Sequence, residues 1–150
     1  MALYVLNPEK LPGWNNNLHF VTVCKKRKNG FNTPEKLQRV KEAFLEKASK
    51  LGITVHAITV AYNHVHFLVN SNGKNHSDIA KELNGYTAFI LRKEFEDLKT
   101  VVHQKSLWGG KSCRAIEDEE HFNNALRYIN SHQPDNTKIP DEWKFDPNDE

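Results

Sequence analysis

"ITVHAITVAYNHVHFLVNS", residues 53–71, is the stretch whose reading decides the fold. It breaks near Asn63 into two short runs, 53–62 and 64–71, rich in β-branched and aromatic residues, and a polar loop follows at 72–77. Runs of this length meeting at a corner are expected to pair as neighbouring strands. Side chains alternate across a strand, so His64 and His66 share one face while Val65 and Phe67 take the other. Two adjacent imidazoles on a sheet need a reason.

Working outward, residues 33–52 read as a helix. Thr33 stands at the cap, Pro34 at the first helical position, Leu37, Val40, Phe44, Ala48 and Leu51 recur at helical spacing, and Gly52 is the stop. Before it, 18–27 alternates apolar and polar residues as a strand and turns at 28–32, while 1–17 is an irregular lead-in ending in Pro, Gly and Asn. Beyond the central pair, 77–95 is a second helix with a Ser77 cap, weakened by Gly85, which costs about 1 kcal/mol relative to Ala. A strand at 107–116, interrupted by Gly109 and Gly110, precedes a last helix at 117–132 with an acidic first turn and Pro134 beyond it. The order βαββαβ plus a terminal helix predicts an α+β protein of the ferredoxin-like, split βαβ type: an antiparallel sheet with helices on one face and the other face left for function.

The chain of 150 residues and 17.3 kDa is one domain by length, and its 38% apolar content suffices for a single core. A formal charge of +2 is too mild to announce a nucleic-acid binder, but its distribution is uneven. Residues 133–150 hold six acidic side chains against Lys138 and Lys144, a tail of −4, so the rest of the chain carries +6. Two cysteines, Cys24 and Cys113, lack the spacing of a metal site and the density of a disulfide scaffold. There is no signal-peptide pattern and no apolar run long enough for a bilayer, so the expectation is a reduced, soluble, cytoplasmic protein without membrane contact.

Two imidazoles make an incomplete metal site, since catalytic metals commonly take three protein ligands. The last helix offers more. At about 100° per residue, Phe122, Ala125, Leu126 and Ile129 form one apolar stripe, expected on the sheet. His121, Tyr128 and His132 form a second stripe about 90° away, at the edge of the packed face. His64, His66 and His132 could therefore gather with the Tyr128 hydroxyl beside them. Three imidazoles with open positions make a Lewis acid that polarises a phosphoryl oxygen, and a nearby phenol is a nucleophile if something assists loss of its proton. The ordinary alternatives are half-buried strand histidines, the reading that suits His19 and His56, and an amphipathic helix-edge tyrosine.

"AYNHVHFLV" (61–69) together with "LRYINSH" (126–132) resembles the HUH single-strand endonucleases, specifically the small single-tyrosine transposases of insertion sequences and their REP-associated relatives. The resemblance implies that His64 and His66 hold a divalent cation, Mg²⁺ or Mn²⁺. It also implies that Asn63 matches the asparagine often found before the motif and that Tyr128 attacks DNA, leaving a 5′-phosphotyrosine and a free 3′-hydroxyl. Many insertion-sequence members place Gln four residues after the tyrosine as third ligand; His132 stands there instead, as in the REP-associated type. Tyr86 is a poorer nucleophile candidate, because Ile90 occupies the equivalent place after it. From chemistry alone imidazoles would also suit Zn, Ni or Co. The resemblance further implies hairpin-bearing single-stranded DNA as substrate and a homodimer, with the tyrosine helix set against either chain's histidines. It runs from about the first strand to His132, so the catalytic domain is expected at 1–132 with the acidic tail at 133–150 outside it.

DNA contacts are expected from the basic body: Lys25, Lys26, Arg27 and Lys28 at the end of the first strand, Lys111 and Arg114 by the last strand, and Arg127 beside Tyr128. For 24–28 a solvated hairpin tip explains the charge equally well, and Trp108 reads either as a base-stacking residue or as core. Two other functions stay open at this stage. A non-catalytic single-strand binding module would show exposed aromatics on its central strands, where HVH stands instead. A metal-dependent phosphodiesterase would use water as the nucleophile and form no protein–DNA adduct.

Overall fold

The computed structural model describes residues 14–25, 28–98 and 106–131. A 3-10 turn at Trp14–Asn16 leads into β1 (Asn17–Cys24), followed by α1 (Pro34–Leu51), β2 (Thr54–Val60), β3 (His64–Asn70), α2 (His76–Glu94), β4 (Trp108–Ala115) and α3 (Glu119–Ser131). The strands form one antiparallel sheet in the order β2-β3-β1-β4. The two runs meeting at Asn63 are paired neighbours, as their composition suggested, and the histidine strand lies inside the sheet rather than at an edge.

The helix ends follow local chemistry. Thr33 accepts a hydrogen bond from the Lys36 amide at 3.2 Å, Pro34 opens α1, and Gly52 closes it with φ 74°, its N–H reaching the Ala48 and Ser49 carbonyls. The cap of α2 is Asn75 rather than Ser77. Its carboxamide oxygen accepts from the Ser77 and Asp78 amides at 2.8 and 3.4 Å, which puts Ser77 inside the first turn. β1 ends at Cys24, three residues sooner than its alternation suggests, after a register shift against β4 between Thr22 and Cys24.

Alternation divides the sheet into two unlike faces. Leu18, Phe20, Val65, Phe67, Val69, Cys113 and Ala115 face α1 and α2, where Phe67 stacks on Phe20 and meets Phe44 at ring separations of 5.1 and 5.2 Å. Trp108 belongs to this core: it is 9% exposed, its ring meets Phe31 and Phe44 edge-on, and its indole N–H donates to Thr87 Oγ1 at 3.1 Å. The opposite face carries His64, His66 and Leu68 on β3, with Val21 and Val23 paired against the histidines on β1. There α3 lies over β2 and β3, burying Ala125 and Ile129 against Ala57, Leu68 and Ile116. The face left uncovered by α1 and α2 is thus capped in part by the last helix, along the apolar stripe its sequence displayed.

Candidate active site

The site grows from the β3 register. His64 is 2% exposed and His66 is fully buried, and their rings meet edge to face with centroids 4.9 Å apart. Each is held at Nδ1. Asn63 Oδ1 lies 2.8 Å from His64 Nδ1, and His19 Nε2 lies 3.2 Å from His66 Nδ1. An amide oxygen can only accept, so His64 donates from Nδ1, and the neutral ring so held presents its lone pair on Nε2, the form in which an imidazole binds a cation. The Asn63 backbone is fixed as well, its carbonyl accepting the Cys24 N–H at 2.8 Å.

α3 brings Tyr128 to this pair. Its ring stands edge to face against His66, centroids 5.3 Å apart, within the same chain. Burial pushes the phenol well above its ordinary range, so it is protonated at neutral pH. His121, on the same stripe, serves the helix instead. Its Nδ1 accepts the Glu117 amide at 3.0 Å while Asp118 accepts the His121 amide at 2.8 Å, closing the start of α3. His132 lies outside the described residues, as do Lys26, Arg27 and the tail 133–150. Among the described residues no group of three or more His, Cys, Asp or Glu is arranged to hold a metal ion. The donor chemistry of His64 and His66 nonetheless fits two ligands of a divalent site.

His19 was the residue the sequence undersold. It is 3% exposed, and burial, with His121 and Arg114 adding to it, lowers its pKa to about 3, so the ring is neutral. The bland reading of a buried histidine with a hydrogen-bond partner holds, but the partner is His66. His56 does match that reading without further consequence: it bonds Asn17 Oδ1 at 2.9 Å and packs on Phe122.

The proposed DNA contacts separate. Lys25 follows Cys24, whose amide bonds the Asn63 carbonyl, and Lys28 is exposed. Arg114 pairs with His19 across β1 and β4 and so shares the histidine face, and Arg127 is exposed one residue before Tyr128. Lys111 pairs with Thr22, on the other face, and lines a small pocket with His76, Ser77 and Cys113. Tyr86 is also remote: it sits on α2, donates to Glu46 at 3.0 Å and has Lys47 and Lys50 over its ring. Cys24 and Cys113 are free and buried, with both thiols pushed up to about 12 by burial. No helix among the described residues is long and apolar enough to cross a membrane.

Comparison with known proteins gives the family and the fold. Residues 13–132 match the family model described as "Transposase IS200 like". Among solved structures, a candidate transposase from Deinococcus radiodurans R1 superposes with a TM-score of 0.61 at 20% identity, covering 77% of this chain and 90% of that one. A REP-associated tyrosine transposase bound to a REP hairpin superposes with a TM-score of 0.59 at 14% identity, covering 86% of this chain and 70% of that one. No curated protein matches.

Proposed function

The chain belongs to the IS200-like transposase family, and on that premise we propose that it nicks and rejoins single-stranded DNA at hairpin ends through a covalent 5′-phosphotyrosine on Tyr128. One observation carries this reading: the Tyr128 ring rests on His66 of the same chain, so one polypeptide brings the nucleophile to the His-x-His pair. In the forward step the Tyr128 oxygen attacks the scissile phosphorus, a phosphotyrosyl bond forms, the bond to the 3′-oxygen breaks, and the phenol proton ends on that oxygen as a free 3′-hydroxyl. Attack by a 3′-hydroxyl reverses these steps and joins strands, because the phosphotyrosyl ester conserves the energy of the broken phosphodiester.

His64, His66 and His132 would hold the divalent cation, Mg²⁺ or Mn²⁺, which when bound draws negative charge from the scissile phosphate. The chain's own contribution is orientation. Asn63 sets the His64 ring, and α3, locked by Ala125 and Ile129, presents Tyr128 at a fixed edge of the packed face. Since burial keeps the phenol protonated, attack must be coupled to proton loss in the DNA-bound state.

Lys25, Lys26, Arg27 and Lys28, together with Arg114 on the histidine face and Arg127 on α3, are proposed to take the strand entering the site, while Lys111 would contact DNA passing the opposite face. Hairpin-bearing DNA is the proposed partner, a reading supported by the REP hairpin held by the structural neighbour. We propose residues 1–132 as the catalytic domain, 133–150 as a separate acidic tail, a homodimer as the assembly, and a cytoplasmic setting that suits two free thiols.

The test is a denaturing gel of the protein with labelled single-stranded DNA from its own locus and Mn²⁺, comparing wild type with Tyr128→Phe. A covalent adduct in the wild type alone is expected. Cleavage without adduct would point to a phosphodiesterase using water, and binding without cleavage to a non-catalytic single-strand module.

A further inference from the structure

We infer that His19 is a positioning residue for His66: it accepts the His66 Nδ1–H and thereby selects the imidazole tautomer whose lone pair lies on Nε2. This rests on the reading above that His66 is a metal ligand.

In the β1–β3 register Val21 stands opposite His66 and His19 opposite Leu68, so His19 is the diagonal neighbour of His66 on the same face, within reach of a ring but not of a shorter side chain. The rings meet at 5.4 Å between centroids, tilted by 50°, with His19 Nε2 and His66 Nδ1 3.2 Å apart. A metal-binding imidazole is neutral, and when such a ring shares one proton with a neutral His19 only two arrangements exist. If His19 donates, His66 carries its hydrogen on Nε2 and cannot bind a cation there. If His66 donates, its Nε2 lone pair is set for coordination. The second arrangement repeats the one Asn63 imposes on His64 at 2.8 Å, so both motif histidines would be set at Nδ1 by a separate acceptor, one a chain neighbour and one from the adjacent strand.

His19 is not itself a member of the ligand set. It shares the face with His64 and His66, yet these three do not form a group arranged to hold a metal. Outer partners of this kind orient a ligating histidine, and their loss typically costs 10–100-fold in metal affinity.

The experiment measures Mn²⁺ affinity by calorimetry for wild type, His66→Ala, His19→Leu and His19→Gln, without DNA. Gln can place a carboxamide oxygen where His19 Nε2 lies, whereas Leu fills the space without an acceptor. We expect His19→Leu to bind 10–100-fold more weakly and His19→Gln to recover to within a few-fold of wild type. Wild-type affinity in His19→Leu overturns the inference. Equal affinity of wild type and His66→Ala instead overturns the reading of His66 as a ligand, and the inference with it. Should His19→Leu not fold, ¹⁵N spectra of the histidine side chains in metal-free wild type decide: the Nδ1–H form of His66 is expected, and the Nε2–H form overturns the inference.

Discussion

The Tyr128 ring lies against His66 of its own chain, centroids 5.3 Å apart and planes 78° from parallel. On the roles proposed above, Tyr128 would act on a phosphate held at the His64/His66 pair of its own chain. Mixing Tyr128→Phe with His66→Ala should yield no strand cleavage beyond that of either variant alone. Recovery in the mixture, read on the same denaturing gel, would place the working site between chains.

Asn63 should be needed for the site and not for the fold. Its side chain fixes His64, while its link to Cys24 runs through the backbone carbonyl and survives substitution. Asn63→Ala is expected to lower Mn²⁺ affinity 10–100-fold with little change in melting temperature, and Asn63→Asp, which keeps an acceptor oxygen, to lose less.

Two glycines should respond oppositely to alanine. A Cβ at Gly85, inside α2, meets nothing within 4 Å, so Gly85→Ala is expected to stabilise by about 0.5–1 kcal/mol through helix propensity. A Cβ at Gly109 would lie 3.1 Å from the Lys25 Cα, a backbone atom that would have to give by a few tenths of an ångström while its amide is tied to the Leu107 carbonyl at 2.8 Å, and Gly109→Ala is expected to destabilise by about 1 kcal/mol. Denaturant melts of both variants check this.

Arg39 ties α1 to α2 through two hydrogen bonds to Glu94, at 2.7 and 2.9 Å, and those bonds hold the Glu94 carboxyl below its usual range. A depressed carboxylate contributes stability that is present above its unfolded pKa and lost as pH falls through its folded one. The pair is exposed, so the contribution is at most about 1 kcal/mol. Glu94→Gln should cost that little at neutral pH and nothing in acid below the carboxylate range. A loss that persisted in acid would assign the effect to packing instead.

The tail 133–150, at −4 against a body of +6, is proposed to cover the basic surface and restrain DNA binding. Its deletion should tighten single-strand binding at low salt and change little at high salt. Unchanged affinity at low salt would dispose of the idea.

Local chemistry alone determined most of the framework. The Thr33 cap, Pro34 and Gly52 bracketed α1, alternation put His64 and His66 on one face, and helical spacing separated the Ala125/Ile129 stripe from the Tyr128 edge. These features depend on residues a few positions apart, whose geometry the backbone periods dictate. Competition between nearby caps was harder to read, and Asn75 displaced Ser77 because its carboxamide reaches two amides at once. Only tertiary structure could decide what lies across the sheet. It set β1 beside β3 in a register that carries His19 onto His66, 47 residues away in the chain, and sent Lys111 to the face opposite Arg114. That register follows from burying both faces of a central strand at once, because a slip of β3 by one residue would turn His64 and His66 into the α1/α2 core and carry Phe67 out of it.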